Sequence, residues 1–305
     1  MITCKICSEQ FENEKKLHMH LRSHKITLAE YYTRYYPRNN LLTREPLPFK
    51  NKEQYFDRDF ANRKQLLDWC AKTPDAQVKE YILELLDRRI KRKELKFGPS
   101  HVELKTSDMP TVDLYQKHFG SYSKACDLVG VKPLFSTRLP DEWQNPVPDD
   151  VKIFIDTREQ QPLEFDNSES LKLDFGDYAV GSNHYDYTYV DRKSETDFKS
   201  TLSKNSLNRF RAELQRTKDF DSYLFVVTET DMSTMEKRNK WSPHTSNMKY
   251  IYHNMRVLAH DFSGHCQFIF TGSREQSQQL IPKILTLGKK LWNVDLQYYI
   301  SNQLI

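Results

Sequence analysis

The chain has 305 residues, 38% of them hydrophobic, with 46 Lys and Arg against 42 Asp and Glu and five cysteines. That is enough apolar surface for two compact cores. Nowhere do 18 apolar residues run together, and no apolar stretch follows a basic start, so the sequence reads as free of membrane spans and secretory leaders and as intracellular. Cys4 and Cys7 form a tight pair while Cys70, Cys126 and Cys266 are scattered, a usage that suits a reducing compartment with one metal site better than a disulfide scaffold.

Residues 1–25 place Cys4 and Cys7 two residues apart, leave twelve to His20 and three more to His24, and put Phe11 and Leu17 where a small ββα core would need them. Two thiolates on a β-turn and two imidazoles one helical turn apart close a tetrahedron around Zn2+, which supplies folding energy that so short a segment cannot get from burial. A zinc finger is expected here. Asn13, Lys16 and Met19 would take the base-contacting positions of its helix, and the first two are polar. A lone finger covers only about three base pairs, so DNA contact competes with a structural or protein-binding role. His18, on the other face, is expected at the surface.

Residues 26–60, punctuated by Pro46 and Pro48, read as a linker. Residues 61–135 read as helical, with apolar faces at Leu66, Leu67 and Cys70 and then at Tyr81, Ile82, Leu85 and Leu86. Arg88, Arg89, Lys91, Arg92, Lys93 and Lys96 follow with one acid, Glu94, among them. Such a run is either a solvated helix face or a phosphate-contacting stripe. The segment PTVDLYQKHFGSYSKACDLVGVKP then reads as two short helices around Gly120, with Ser121 able to cap the second. It resembles the small helical repeat associated with homing endonucleases, which implies docking in a DNA groove; the alternative is a hairpin that completes the core.

The proline-containing stretch 136–150 reads as a second linker. Residues 1–135 carry 25 Lys and Arg against 18 Asp and Glu, whereas residues 136–305 carry 21 against 24. The positive part would attract phosphates and the acidic part could hold divalent cations.

From residue 151 onward, strand patterns alternate with helical ones, implying an α/β domain with one mixed sheet flanked by helices. Polar residues interrupt the strands where propensity would not choose them: Asp156, Arg158 and Glu159 follow one, Gly176 and Asp177 follow another, Asp191, Arg192 and Lys193 end a third, and Asp197 sits just beyond. Carboxylates meeting from neighbouring strand ends repel one another, so a cation must compensate them.

The phrases IDTRE, GDY, VDRKSETDF and NRF resemble, in order and spacing, the XPF-type nuclease domain, a branch of the restriction-endonuclease-like fold, over about residues 151–292. The resemblance implies a DNA endonuclease in which Asp177 and Asp191 bind Mg2+ or Mn2+, Asp156 and Glu159 are nearby acids, and Lys193 stands beside the attacking water. Such a metal lowers the pKa of bound water and neutralises charge on the phosphate. Arg158 and Arg192 would steady the phosphate or serve as structural ion-pair partners, Arg209 would reach a phosphate or anchor its helix, and Asp197, three residues after Ser194, fits a helix-capping box equally well. The family usually has Glu where this chain has Asp191, which shortens that arm by a methylene.

Two enzyme readings follow, with DNA as partner in both. The homing-like repeat favours a site-directed nuclease of a mobile or viral element. XPF-type relatives instead cut branched DNA, usually as dimers through a paired helix-hairpin-helix module placed after the nuclease, a module not expected before Ile305; a homodimer is one form open to this chain. A third reading is a DNA-binding protein with an inactive nuclease fold; the full acidic set with Lys193 argues against it.

Overall fold

The computed structural model describes every residue except 108, and every side chain except those of residues 53, 54, 108 and 182. The chain forms two compact units, one of residues 1–85 with 109–110 and the other of residues 86–107 with 111–305. Among the described residues, no helix is long and apolar enough to cross a membrane.

In the first unit, β1 (Ile2–Thr3) pairs antiparallel with β2 (Gln10–Phe11), and α1 (Glu14–His20) follows, continuing as a tighter turn over Leu21–His24. Residues 26–60, expected as a linker, hold two helices: α2 (Leu28–Tyr35), opened by a reciprocal Thr27–Glu30 capping box, and α3 (Lys52–Asp57). The reason lies in their aromatic content. Tyr31, Tyr32, Leu47 and Tyr55 bury against Cys4, Leu17 and Leu21, giving the N-terminal module a core that it could not build from its own few apolar residues. The same packing moves His18 from the expected surface into a half-buried position, where its Nε2 lies 3.0 Å from the Tyr32 hydroxyl and burial lowers its pKa. The unit is completed by α4 (Arg63–Lys72) and the first half of α5 (Asp75–Lys93), with Leu66, Cys70, Val78 and Ile82 buried. Leu67, expected on the same apolar face, is exposed, because the i, i+4 pair Leu66 and Cys70 sets the direction of that face.

The second unit begins within α5 and adds α6 (His101–Thr106), α7 (Val112–Phe119) and α8 (Tyr122–Leu128). Gly120 ends α7 at φ +80°, a conformation open to glycine, and the Ser121 side chain accepts from the Lys124 N–H to start α8, as its sequence requires. Next come β3 (Ile153–Asp156), β4 (Ser168–Leu171), β5 (Tyr178–Val180), β6 (Thr188–Lys193), α9 (Glu195–Thr201), α10 (Leu207–Asp219), β7 (Tyr223–Thr228), α11 (Met232–Trp241), α12 (Met248–Asp261), β8 (Cys266–Phe270), α13 (Arg274–Leu287) and α14 (Leu296–Ser301).

The strands form one mixed sheet in the order β4-β3-β5-β6-β7-β8. β5 runs antiparallel to both β3 and β6, while β6, β7 and β8 are parallel. The parallel strands are buried on both faces, hence their near-continuous apolar runs. One face carries Ala179, Tyr189, Leu224, Val226 and Phe268 and packs on Phe198, Phe210, Leu214 and Met255 from α9, α10 and α12. The opposite face carries Tyr178, Val190, Phe225 and Ile269 and packs on α13 and α14.

Two stretches expected to precede the α/β domain belong to its packing. Leu139, Trp143 and Val147, in the expected linker 136–150, rest on the second core. α7 is tied to α14, where Tyr298 donates to Gln116 Oε1 at 2.7 Å, and α6 is tied to the α14 cap, where the buried Asp295 carboxylate accepts from the His101 N–H at 2.8 Å.

Candidate functional site

Strand alternation decides which polar residues can meet. On β6, Tyr189 faces the α10 side, so Asp191 and Lys193 face it too, while Val190 and Arg192 face away. Gly176 brings Asp177 into range. Its φ is +59°, and a Cβ there would sit 2.7 Å from the Val190 carbonyl oxygen, so only glycine lets this turn press against β6. The Asp177 N–H then donates to Val190 O at 2.8 Å, and Asp177 Oδ2 accepts from the Arg192 N–H at 2.8 Å.

Asp177, Asp191 and Lys193 therefore form one cluster. Lys193 Nζ donates to Asp191 Oδ1 at 2.7 Å, and Asp191, only 3% exposed, leaves Oδ2 with no hydrogen-bond partner. Burial first, and then the Asp191 charge, push the Asp177 carboxyl up to about 9, against the opposing pull of Lys193. Burial alone would lower the Lys193 pKa, but Asp191 and Asp177 outweigh it and hold the group well above its usual value, as an ammonium. A buried carboxylate oxygen without a donor, beside a carboxyl that resists ionisation, is the arrangement that a divalent cation would satisfy.

The remaining predicted residues take other places. Asp156 ends β3 on the same face, yet its oxygens are filled: Arg158 donates through its N–H, Nε and Nη2 at 2.7, 2.7 and 2.8 Å, and the Leu173 N–H adds a fourth bond at 2.7 Å. Burial would raise the Asp156 pKa, but these donors bring it below its ordinary value. Asp156 and Arg158 thus lock the segment that leads towards Gly176. Arg192, facing the other way, donates to Glu159 Oε1 at 3.0 Å and Glu229 Oε1 at 2.8 Å, and Arg274 joins the same Glu229 oxygen at 3.1 Å. This is an ion network buried at Arg192 and open at Arg274; neither Glu229 nor Arg274 was singled out from the sequence. Asp197 lies outside the cluster, exposed, in a capping exchange with Ser194. Arg209 is exposed on the first turn of α10. A cavity of about 1050 Å3, lined by Lys105, Trp143, Ser273, Gln276 and Lys283 among others, contains none of the clustered acids.

One acid escaped the sequence reading. Glu213 lies on α10, one turn beyond Phe210, whose ring centre is 5.9 Å from Lys193 Nζ. Burial raises its pKa and Asp191 adds to the effect, while Lys193, the Gly176 N–H and Arg216 oppose it. A helix that reads as amphipathic gives no hint that one of its polar residues turns towards a strand end.

The N-terminal quartet is a separate centre. Cys4 Sγ lies 3.7 Å from His24 Nε2, Cys7 Sγ 3.2 Å from His20 Nε2, and the two Nε2 atoms 2.9 Å apart. Among the described residues, this set alone brings three or more Cys, His, Asp or Glu donor atoms within 4.8 Å of one another. Zinc bonds of roughly 2.0–2.3 Å to tetrahedral nitrogen and sulfur ligands need donors spaced this closely. Beside it, Asn13 Oδ1 caps α1 by accepting from the Lys16 N–H at 3.0 Å, the Lys16 side chain pairs with Glu12, and Met19 is exposed.

The basic run divides as well. Arg89 is buried, its guanidinium 3.0 Å from Glu103, and Lys91 pairs with Asp87 at 2.7 Å while staying largely in solvent. Arg92 is exposed, and Arg88 and Lys93 are half-buried.

Comparison with curated proteins finds no match. Among solved structures, XPF from Aeropyrum pernix is 17% identical over 45% of this chain and 66% of its own, with a TM-score of 0.35. A structure described as XPF from Aeropyrum pernix in complex with DNA gives 18% identity over 46% of this chain and 65% of its own, with a TM-score of 0.34. The chain thus spans just under two thirds of the length of these proteins. Residues 155–284, from β3 through most of α13, match the family model of the ERCC4 domain.

Proposed function

We propose that this protein is a divalent-metal-dependent DNA endonuclease whose catalytic centre is Asp177, Asp191 and Lys193. The carrying observation is the partnerless, buried Asp191 Oδ2 beside Asp177. Mg2+ is commonly held by one or two protein carboxylates, with water and substrate phosphate completing its shell, so these two acids suffice without a tighter cage. When bound, the ion would supply charge neutralisation at the phosphate and acidify water. Lys193, held as an ammonium by the two acids, orients the nucleophile and steadies developing negative charge. Asp156 and Arg158 position the Asp177 turn, and the Arg192 network braces the opposite face of β6. The Cys4, Cys7, His20, His24 centre would hold a structural Zn2+, and Lys91 and Arg92 with their neighbours would meet the DNA backbone.

The test is relaxation of supercoiled plasmid in Mg2+ by wild type, Asp177→Ala and Lys193→Ala. Equal activity in all three removes the enzyme assignment and leaves a DNA-binding protein.

A site-directed, homing-type nuclease is the form supported by the sequence of α7–α8. The packing of that hairpin weakens this form and leaves a second one, a nuclease directed by DNA branches, compatible with the site: Tyr122 is buried with its hydroxyl on Pro99 O, and Gln116 is engaged by Tyr298, so these side chains serve the fold. Cleavage mapping on linear, forked and flap DNA separates the two, and sedimentation of the active species tests for a homodimer.

A further inference from the structure

We propose that Glu213 is a member of the cation site, supplying the third negative charge that holds the metal between Asp177 and Asp191. This rests on the endonuclease reading and adds a residue to it. Three facts of placement support it. The face of β6 that carries Asp191 and Lys193 is the face α10 covers, since Phe210 and Leu214 enter the same core as Tyr189 and Leu224. Glu213 sits between those two anchors on the helix, one turn from Phe210, and Phe210 is the ring over which the Lys193 ammonium lies. The side chain's electrostatic neighbours are Asp191, Lys193, Arg216, Arg158 and the Gly176 N–H, the last belonging to the residue that delivers Asp177.

Charge balance gives the physical motive. Asp177 and Asp191 with Lys193 sum to a single negative charge, too little to match a divalent ion; Glu213 adds a further negative charge, offset in part by Arg216 at the rim. Asp191 cannot reach far, and its Oδ2 is already deep in the site without a donor. A carboxylate on a longer arm adds charge from the side of the site that α10 covers. Mutual repulsion is the cost in the metal-free protein, and that gives the proposal a signature that a purely structural role lacks.

The experiment is Mn2+ titration calorimetry on the full chain without DNA, for wild type, Glu213→Gln, Glu213→Ala and Asp177→Asn, preceded by saturation of the N-terminal centre with Zn2+. Thermal melts of the metal-free forms run alongside. Glu213→Gln keeps an acceptor for the Gly176 N–H and removes only the charge. Both Glu213 variants are expected to bind Mn2+ at least ~10-fold more weakly, the size of effect seen when a group supporting a metal ligand is lost, and Glu213→Gln to melt no lower than wild type. Wild-type Mn2+ affinity in Glu213→Gln, together with its loss in Asp177→Asn, would overturn the role of Glu213 and leave the nuclease reading intact. A lower melt for Glu213→Gln with unchanged affinity would overturn it in favour of a structural role. No Mn2+ binding by wild type at this centre would remove both.

Discussion

The Asp191 carboxylate is divided in use: Oδ1 accepts from Lys193 Nζ at 2.7 Å, and Oδ2, equally buried, accepts from nothing. The two residues share one side of β6 because strand side chains alternate with period two, so residues 191 and 193 must point the same way. Lys193 is thereby a neutralising partner of the acid and a donor fixed at the edge of the site.

That double use sets the expectation for Lys193→Ala. Removing a preorganised donor of this kind costs about 10²-fold or more in rate. Because Asp191 then loses its internal counter-charge, metal affinity should hold or rise while nicking falls. Single-turnover cleavage and metal titration measured together check this; a matched loss of both would mean that Lys193 acts through the fold and not on the reaction.

Asp177 gives a pH prediction. Its carboxyl is raised to about 9 by burial and by Asp191, from an ordinary 3.8. A native state that holds a proton which the unfolded chain has released loses stability as pH rises between those two values. Asp295, raised by burial to about 6, contributes to the lower part of the same window. Asp177→Asn should therefore melt higher than wild type in the absence of metal, by several degrees, with the gap widening from about pH 5 to about pH 8. Saturating Mg2+ should close the gap from the wild-type side. A gap that stays constant with pH would show that Asp177 is ionised throughout.

The acids of the candidate site are legible in the sequence, and what is not legible has a physical reason. Asp177 and Asp191 stood out because charged residues interrupt strands whose neighbours are apolar, and Gly176 marked the turn. Arg158 and Arg192 were visible as charges, but whether a guanidinium meets substrate or a carboxylate depends on partners distant in sequence, such as Glu229 for Arg192. Glu213 was hidden because a polar residue on an amphipathic helix is the ordinary case. The linker expected at 26–60 failed for another reason: its tyrosines fill a core shared with Leu17 and Leu21, and low periodicity conceals a segment that packs through large rings.

The N-terminal centre predicts a stoichiometric zinc. The purified protein should carry about one equivalent, and His20→Ala or Cys7→Ser should lose it, since the metal supplies much of the folding energy of such a module. Tyr31 and Tyr32 pack on the same core as Cys4, so loss of metal should also raise amide exchange over α2. Exchange confined to residues 1–25 would show instead that the aromatic core holds without the ion.

The basic run at the end of α5 predicts a salt effect that divides along the line of burial. Lys91 and Arg92 are exposed, whereas Arg89 is committed to Glu103 at 3.0 Å. Each phosphate contact contributes about −0.9 to the slope of log affinity against log salt on duplex DNA. Replacing Lys91 and Arg92 with Gln should make that slope shallower by about one to two, with a loss of stability no larger than about 1 kcal/mol, the scale of surface ion pairs. Arg89→Ala should do the reverse. It leaves the Glu103 carboxylate without its guanidinium in a buried setting, which costs about 1–3 kcal/mol, and the salt slope should stay as it was. Filter binding across a salt series, with melts of each variant, distinguishes the two effects. An unchanged slope in the Lys91 and Arg92 double variant would return this helix face to plain solvation and place the DNA grip elsewhere on the chain.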